Sequence, residues 1–175
     1  MNTISPQIQR LLDKQEIYEL VCTYCRAVDR LDRDLMRSCY HDDATEKRGF
    51  FDGTADAFCD FVVETLHGIA STQHFIGNAL IDVDGDTAYG EIYLTAQHRL
   101  VVDGTEKDLF VGGRYIDRYE RRQGVWKIAF RTERHDWTRT EDACEDWTRA
   151  NPAALLGERG PQDLVFRRDL LRKMK

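Results

Sequence analysis

The stretch STQHFIGNALIDVDGDTAYGEIYLTAQH, Ser71 to His98, decides the architecture. Its two halves are rich in alternating apolar and polar positions, and they meet at Asp84-Gly85-Asp86. A glycine between alternating runs is hairpin chemistry, because a tight two-strand turn needs backbone with positive φ. Two further alternating stretches follow, linked by Asp103-Gly104 and Gln123-Gly124, so four strands are expected over 71–83, 87–102, 108–120 and 125–137. Upstream of Ser71 the period is helical. Ile8, Leu11, Leu12, Ile17, Leu20, Val21, Tyr24, Ala27 and Val28 mark an amphipathic helix from Pro6 to about Leu31, with a break near Lys14. RDLMRSCY gives a short second helix, and ADAFCDFVVETLHGI a third, with Phe58, Phe61, Val62 and Leu66 on one stripe. HDDATEKRGFFDGT between them reads as a turn, a short strand and another turn, with Asp42 and Asp43 as capping or turn residues. Helices followed by an antiparallel sheet define an α+β class. A curved sheet closing over those helices would make a cone with a pocket at its open end.

Composition narrows the function. The 175 residues suit one domain, with 42% hydrophobic and 32% charged residues and only 3 prolines. A net charge of −6 argues against nucleic acid as a partner, since phosphate binding needs a basic surface. No apolar run approaches the ~20 residues that span a bilayer, and MNTISPQIQR lacks the apolar core of a signal peptide, so no membrane association and a cytoplasmic location are expected. Five cysteines at irregular spacings suit reduced thiols. Cys22 and Cys25 spell C-x-x-C inside a helix, where burial explains them better than zinc or redox chemistry. Beyond Trp137 the pattern loosens, which divides the chain into a folded unit, 1–140, and an extension, 141–175, serving as oligomer contact, lid or surface helix.

Alternation sorts side chains by face. His74 shares a face with Ile76, Asn78 and Leu80, and on the next strand Ala88, Gly90, Ile92, Leu94 and Ala96 lead to His98. Inward imidazoles need partners, because an unsatisfied buried polar group costs about 1–3 kcal/mol. Asp29, at the C-terminal end of the first helix and poorly placed against its dipole, is the candidate partner of His74. A carboxylate accepting from one ring nitrogen fixes the tautomer and leaves the other as a general base. The structural alternative is a satisfied strand histidine and a solvated helix-end aspartate.

The phrases YCRAVDRLD, HDDA, TQHFIGN, DGDTAYGEIY and GGRYIDRYERRQGVWKIAFRTERHDW, in that order over about 17–137, resemble the SnoaL-like proteins of the nuclear transport factor 2-like superfamily. The resemblance extends to scytalone dehydratase, bile-acid 7α-dehydratase and hexachlorocyclohexane dehydrochlorinase. It implies a cone-shaped α+β barrel, three N-terminal helices packed on a strongly curved, mixed, mostly antiparallel sheet around a deep apolar pocket. It implies an Asp–His dyad at Asp29 and His74, with Tyr24, His98 and Arg131 as further site positions. The tyrosine that scytalone dehydratase carries beside its aspartate is Val28 in this chain.

The reaction expected is a cofactor-free, metal-free lyase or isomerase step of dehydratase type: elimination or proton transfer with His74 as base and Asp29 stabilising the imidazolium. Tyr24 or His98 would bind a carbonyl or protonate a departing hydroxyl. Phe50, Phe51, Phe58, Phe61 and Ile92 are expected to line a pocket for a small hydrophobic cyclic ligand, such as a steroid, polyketide or aromatic compound. Asn78 would orient the dyad or the substrate, or else satisfy sheet-edge backbone. Arg131 would touch substrate, or else pair with Asp117 on the adjacent strand. A homodimer or homotrimer is expected from the superfamily. The competing readings are a binding module without turnover, a polyketide cyclase, and a structural protein like the β subunit of a ring-hydroxylating dioxygenase.

Overall fold

The computed structural model describes residues 4–144 and 147–174. Helix α1, Pro6–Arg30, starts where the Ser5 hydroxyl accepts from the Ile8 N–H and Pro6 supplies a preset φ. It ends at Leu31, whose φ of 54° breaks the helix, while the Leu31 and Asp32 N–H groups cap the carbonyls of Val28 and Ala27. Asp32 also accepts from the Leu35 N–H at 3.0 Å and so starts α2, Arg33–Ser38. The expected break near Lys14 does not occur. The gap in the apolar stripe between Leu12 and Ile17 is filled by a buried aspartate, Asp13, and the stripe continues through Ile17, Val21, Tyr24, Cys25 and Val28. Ile8, Leu11 and Leu12, counted as stripe from spacing alone, are exposed.

After α2 come strands β1, Tyr40–Lys47, and β2, Asp52–Thr54, then α3, Ala55–His67, capped by the Thr54 hydroxyl. The HDDA segment lies within β1, so Asp42 and Asp43 are strand residues rather than turn or cap residues; they pair with Arg37 and Arg122. Four long strands follow: β3, Ser71–Asp84; β4, Thr87–Val102; β5, Thr105–Arg122; and β6, Val125–Asp142. The turns behave as their residues dictate, with positive φ at Gly85, at Asp103 and Gly104, and at Gln123 and Gly124. Beyond β6 lie two short helices, α4, Trp147–Ala150, and α5, Arg168–Leu171, with 3-10 turns between them. Arg159 of this tail donates to the carbonyls of Leu66 and Ile69 at 3.0 and 2.6 Å, which ties the tail to the end of α3.

The α+β class, the helices and the mixed, mostly antiparallel sheet agree with the sequence reading; the barrel does not. The six strands run β2-β1-β6-β5-β4-β3, parallel only between β1 and β6. The sheet is open and not strongly curved, with β2 and β3 as its two edges. Closure would need those edges to share a ladder of backbone hydrogen bonds. β2 has three residues and leads straight into α3, whereas β3 has fourteen and lies at the opposite edge with four strands between. Helices α1 and α3 cover one face, α1 against β3 and β6 and α3 against β1. The core between them joins Ile17, Val21, Val28, Met36, Phe58, Ile92, Tyr115, Tyr119 and Ile128.

The strands also carry bulges that sequence alternation does not foresee. In β3, Ile76 pairs with Leu94 and Ala79 with Ile92, so Gly77 and Asn78 together oppose Tyr93. The extra residue reverses the phase: His74 and Ile76 are partly buried before it, and Ala79, Ile81 and Val83 turn inward after it. In β6 a second shift, between the Ile128 and Phe130 pairings, places Arg131 and Glu133 on the inward face.

Candidate active site

Asp29 sits one residue before the end of α1, buried to 9% exposure, and faces β3. Because β3 is an edge strand, backbone N–H groups on its outer side are free of the β4 ladder. Asp29 takes the one at His74: Oδ2 accepts from the His74 N–H at 3.0 Å, and Oδ1 lies 2.7 Å from ring Nδ1. An ionised carboxylate can only accept, so beside it a singly protonated ring carries its hydrogen on Nδ1 and leaves Nε2 as an acceptor. The second hydrogen bond, to the backbone, holds the carboxylate in register with the strand that carries the histidine.

His98 lies beside this pair, its ring 5.6 Å from that of His74 and nearly perpendicular to it. Thr72, across the ladder from it, places its hydroxyl 2.8 Å from His98 Nδ1. Burial, and then the neighbouring His74, push the His98 pKa down to about 4, so its ring is neutral near pH 7.

Both histidines border a cavity of about 420 Å³. Its walls are mainly apolar: Val28 of α1, Phe58, Phe61, Val62 and Leu66 of α3, and Ala96 and Val111 of the sheet, with Phe50 exposed at the rim. Phe58 and Phe61 stack at 6.2 Å between centroids, and Phe51 buttresses both from behind at 5.1 and 5.5 Å. A smaller hollow of about 300 Å³ meets His74 and Asp29 from the other side, lined by Cys22, Cys25, Arg26 and Phe75 among others.

A second polar group stands in the cavity bordered by the two histidines. Arg48, just past β1, has its guanidinium between the rings of Phe58 and Tyr115, 4.5 and 5.3 Å from their centroids. Its Nε donates to Glu46 Oε2 at 2.7 Å, its Nη1 to Glu133 and its Nη2 to the Tyr24 hydroxyl at 3.3 Å. Behind it the Tyr40 hydroxyl donates to the fully buried Glu46. Glu133 and His135, two residues apart on β6, complete this end, with His135 Nε2 3.5 Å from Glu133 Oε1.

Of the residues singled out from sequence, Asp29, His74, Tyr24, His98, Phe50, Phe58 and Phe61 come together at this cavity or directly behind it. Burial holds the Tyr24 phenol well above its ordinary pKa, so it is a neutral hydroxyl. Three residues lie elsewhere. Asn78 is exposed, because the bulge turns it away from the His74 face. Ile92 is fully buried in the core, and the cavity lining does not include it. Arg131 is fully buried in the structural pair foreseen as the alternative, donating to Asp117 through Nε and Nη2 at 2.7 and 2.8 Å. Its guanidinium stacks under Tyr24 and Tyr115, 4.3 and 4.0 Å from their centroids, and so supports the cavity wall without lining it. Arg48, Tyr115, Glu133 and His135 were missed. For Arg48, Glu133 and His135 the available signal was their phase with the buried positions Ala44 and Glu46 of β1 and Arg131 of β6, masked by the surrounding runs of charge.

Among the described residues no three His, Cys, Asp or Glu side chains converge as a metal-holding group. No helix among them is long and apolar enough to cross a membrane.

The sequence pattern of the SnoaL-like domain matches residues 9–132. The chain is 27% identical over 131 residues to the uncharacterized protein Rv2910c of Mycobacterium tuberculosis, covering 72% of this chain and 87% of that one. Among solved structures it is similar to a type 2 hexachlorocyclohexane dehydrochlorinase, LinA, with a TM-score of 0.72 and 20% identity over 84% of this chain and 99% of that one. It is also similar to the dehydrochlorinase LinA-type3 of Novosphingobium barchaimii, with a TM-score of 0.69 and 22% identity over 77% and 94% of the two chains. At these identities the structures establish a shared fold.

Proposed function

The chain belongs to the SnoaL-like domain family, and from that membership together with the geometry of His74 we propose that it is a lyase or isomerase acting on a small hydrophobic cyclic substrate. The observation that carries the reading is the 2.7 Å contact between Asp29 and His74 Nδ1 at the wall of an apolar cavity. In this reading His74 Nε2 takes a proton from a carbon made acidic by a neighbouring carbonyl or leaving group. The imidazolium that forms is stabilised by Asp29, already in place, so the charge appears without rearrangement of the site. Neutral His98 and the Tyr24 hydroxyl are the polar groups available to hydrogen-bond a carbonyl or departing oxygen, and the proton that His74 has taken from carbon is the one available to return to a departing oxygen. The apolar walls exclude water and strengthen each of these contacts. The shared fold of the two dehydrochlorinases, whose names denote an elimination, is consistent with proton abstraction as the first event.

The test is solvent deuterium exchange at the carbons next to the carbonyl in a panel of cyclic and aryl ketones, followed by NMR. The unmodified protein is expected to accelerate exchange. His74→Gln and Asp29→Asn, with circular dichroism unchanged, should each reduce that acceleration by about 10²–10⁴-fold. Exchange that survives both substitutions would overturn the assignment of the base, and a panel with neither exchange nor elimination would favour a binding module.

A further inference from the structure

We propose that the cavity is built for a ligand with two polar ends, the one remote from the reacting carbon being a neutral hydroxyl, and that Arg48 and Glu133 read that hydroxyl. Which end reacts rests on the assignment of His74 as the base; the recognition of the hydroxyl does not.

The spacing of the two ends follows from one helix. Asp29 holds His74, and Tyr24 accepts from Arg48. These two anchors are five residues apart on α1, a rise of about 7.5 Å along the helix axis at 1.5 Å per residue. Between them the wall is apolar, with Val28, Phe58 and Val62. A ligand filling this space meets charged or imidazole groups at its two ends, and along the α3 side of the lining Thr65 is the one polar residue among apolar ones.

The chemistry of the remote end follows from counting donors and acceptors. A guanidinium carries five N–H donors. Arg48 uses Nε on Glu46, one Nη1 hydrogen on Glu133, and Nη2 on Tyr24 and, at 3.5 Å, on Glu46 again. One Nη1 hydrogen is left to donate. Glu133 uses Oε2 on Arg48, while its Oε1, 3.5 Å from His135 Nε2, makes no hydrogen bond among the described residues and is free to accept. The end therefore offers one donor beside one acceptor, which a hydroxyl satisfies with a single oxygen. A carboxylate or phosphate meets two carboxylates, Glu46 and Glu133, against one guanidinium, and an ammonium meets the Arg48 charge. The pair is also held rigidly: Arg48 is clamped between two rings, and its side chain and that of Glu133 are 6% and 8% exposed. A desolvated site of this kind discriminates strongly, because an analogue lacking the hydroxyl leaves its groups unpaired.

The experiment is calorimetric titration of the full chain with four acetophenones of matched shape: the parent, and those with para hydroxyl, methoxy and carboxylate groups. The hydroxyl compound is expected to bind about ten-fold or more tighter than the parent, with the methoxy and carboxylate compounds no tighter than the parent. Glu133→Gln removes one negative charge and should strengthen carboxylate binding about ten-fold while weakening the hydroxyl preference. Equal binding of hydroxyl and parent compounds, tighter binding of the carboxylate by the unmodified chain, or no measurable binding of the hydroxyl compound at about 1 mM would each overturn the proposal. His74→Gln should retain the hydroxyl preference while methyl-proton exchange of the bound ketone is lost. Preference without exchange in the unmodified chain would remove the base and keep the recognition, and exchange without preference would do the reverse.

Discussion

His98 shows how burial, and after it a neighbouring ring, sets the chemistry of a side chain. Its pKa, about 4 in the folded chain against an ordinary value near 6.5, means that the unfolded chain binds this proton more readily. The contribution of a neutral His98 to stability is fully present above about pH 6.5 and is lost as pH falls through about 4, amounting to about 3 kcal/mol over that window. Urea denaturation at pH 7 and pH 4.5 should show a loss in the unmodified chain that is smaller in His98→Asn; identical losses would refute the shift. His74 and Asp29 were legible in the sequence because each broke a local rule: a polar residue on an inward strand face, and an acid at the wrong end of a helix. Arg48 and Glu133 broke none. They stand in EKRGF and RTERHDW, runs of charge that read as solvated surface, and only the sheet brings them together inside. Arg131 was ambiguous between cavity and core because spacing places it on the right strand without saying how deep it lies.

Among the elements, α1 is the one that positions the site, and a carboxylate near each end fastens it to the sheet. Asp13 Oδ1 accepts from Arg121 Nη1 at 2.6 Å, Trp126 Nε1 at 3.1 Å and Gln9 Nε2 at 3.0 Å, while Asp29 grips β3 sixteen residues later. Asp13→Ala orphans the buried indole N–H and takes one of its two carboxylates from Arg121, which keeps Asp86, and is expected to cost about 1–3 kcal/mol in urea denaturation with an unchanged slope. A change below about 0.5 kcal/mol would show that the anchor is idle. Helix and strand identities were readable because period and turn chemistry agree over many residues. The bulges were not, since one inserted residue leaves the composition untouched and reverses every face beyond it. Gly77 was the available hint, a glycine inside a strand, and it explains why Asn78 faces out.

At the scale of the molecule, the layers meet over a buried ion pair. Asp117 and Arg131 are aligned across β5 and β6, both side chains fully buried, beneath the tyrosines of the cavity. Removing one partner strands a charge in the core, so Asp117→Ala should lose about 3–5 kcal/mol, whereas Asp117→Leu with Arg131→Met should recover most of that loss. Equal destabilisation of the single and double variants, measured by urea denaturation, would show that the pair has no such coupling. The openness of the sheet was the error of whole-molecule reading, for strand count and curvature do not follow from alternation; they depend on whether the terminal strands reach one another. That same openness separates two kinds of heritable change. The residues proposed to move the proton hang from the margin formed by α1 and β3, and those proposed to read the hydroxyl from β1 and β6 several strands away. If both proposals hold, a descendant of this chain can exchange one appetite for another by substitutions at Arg48 or Glu133 while keeping the proposed reaction intact.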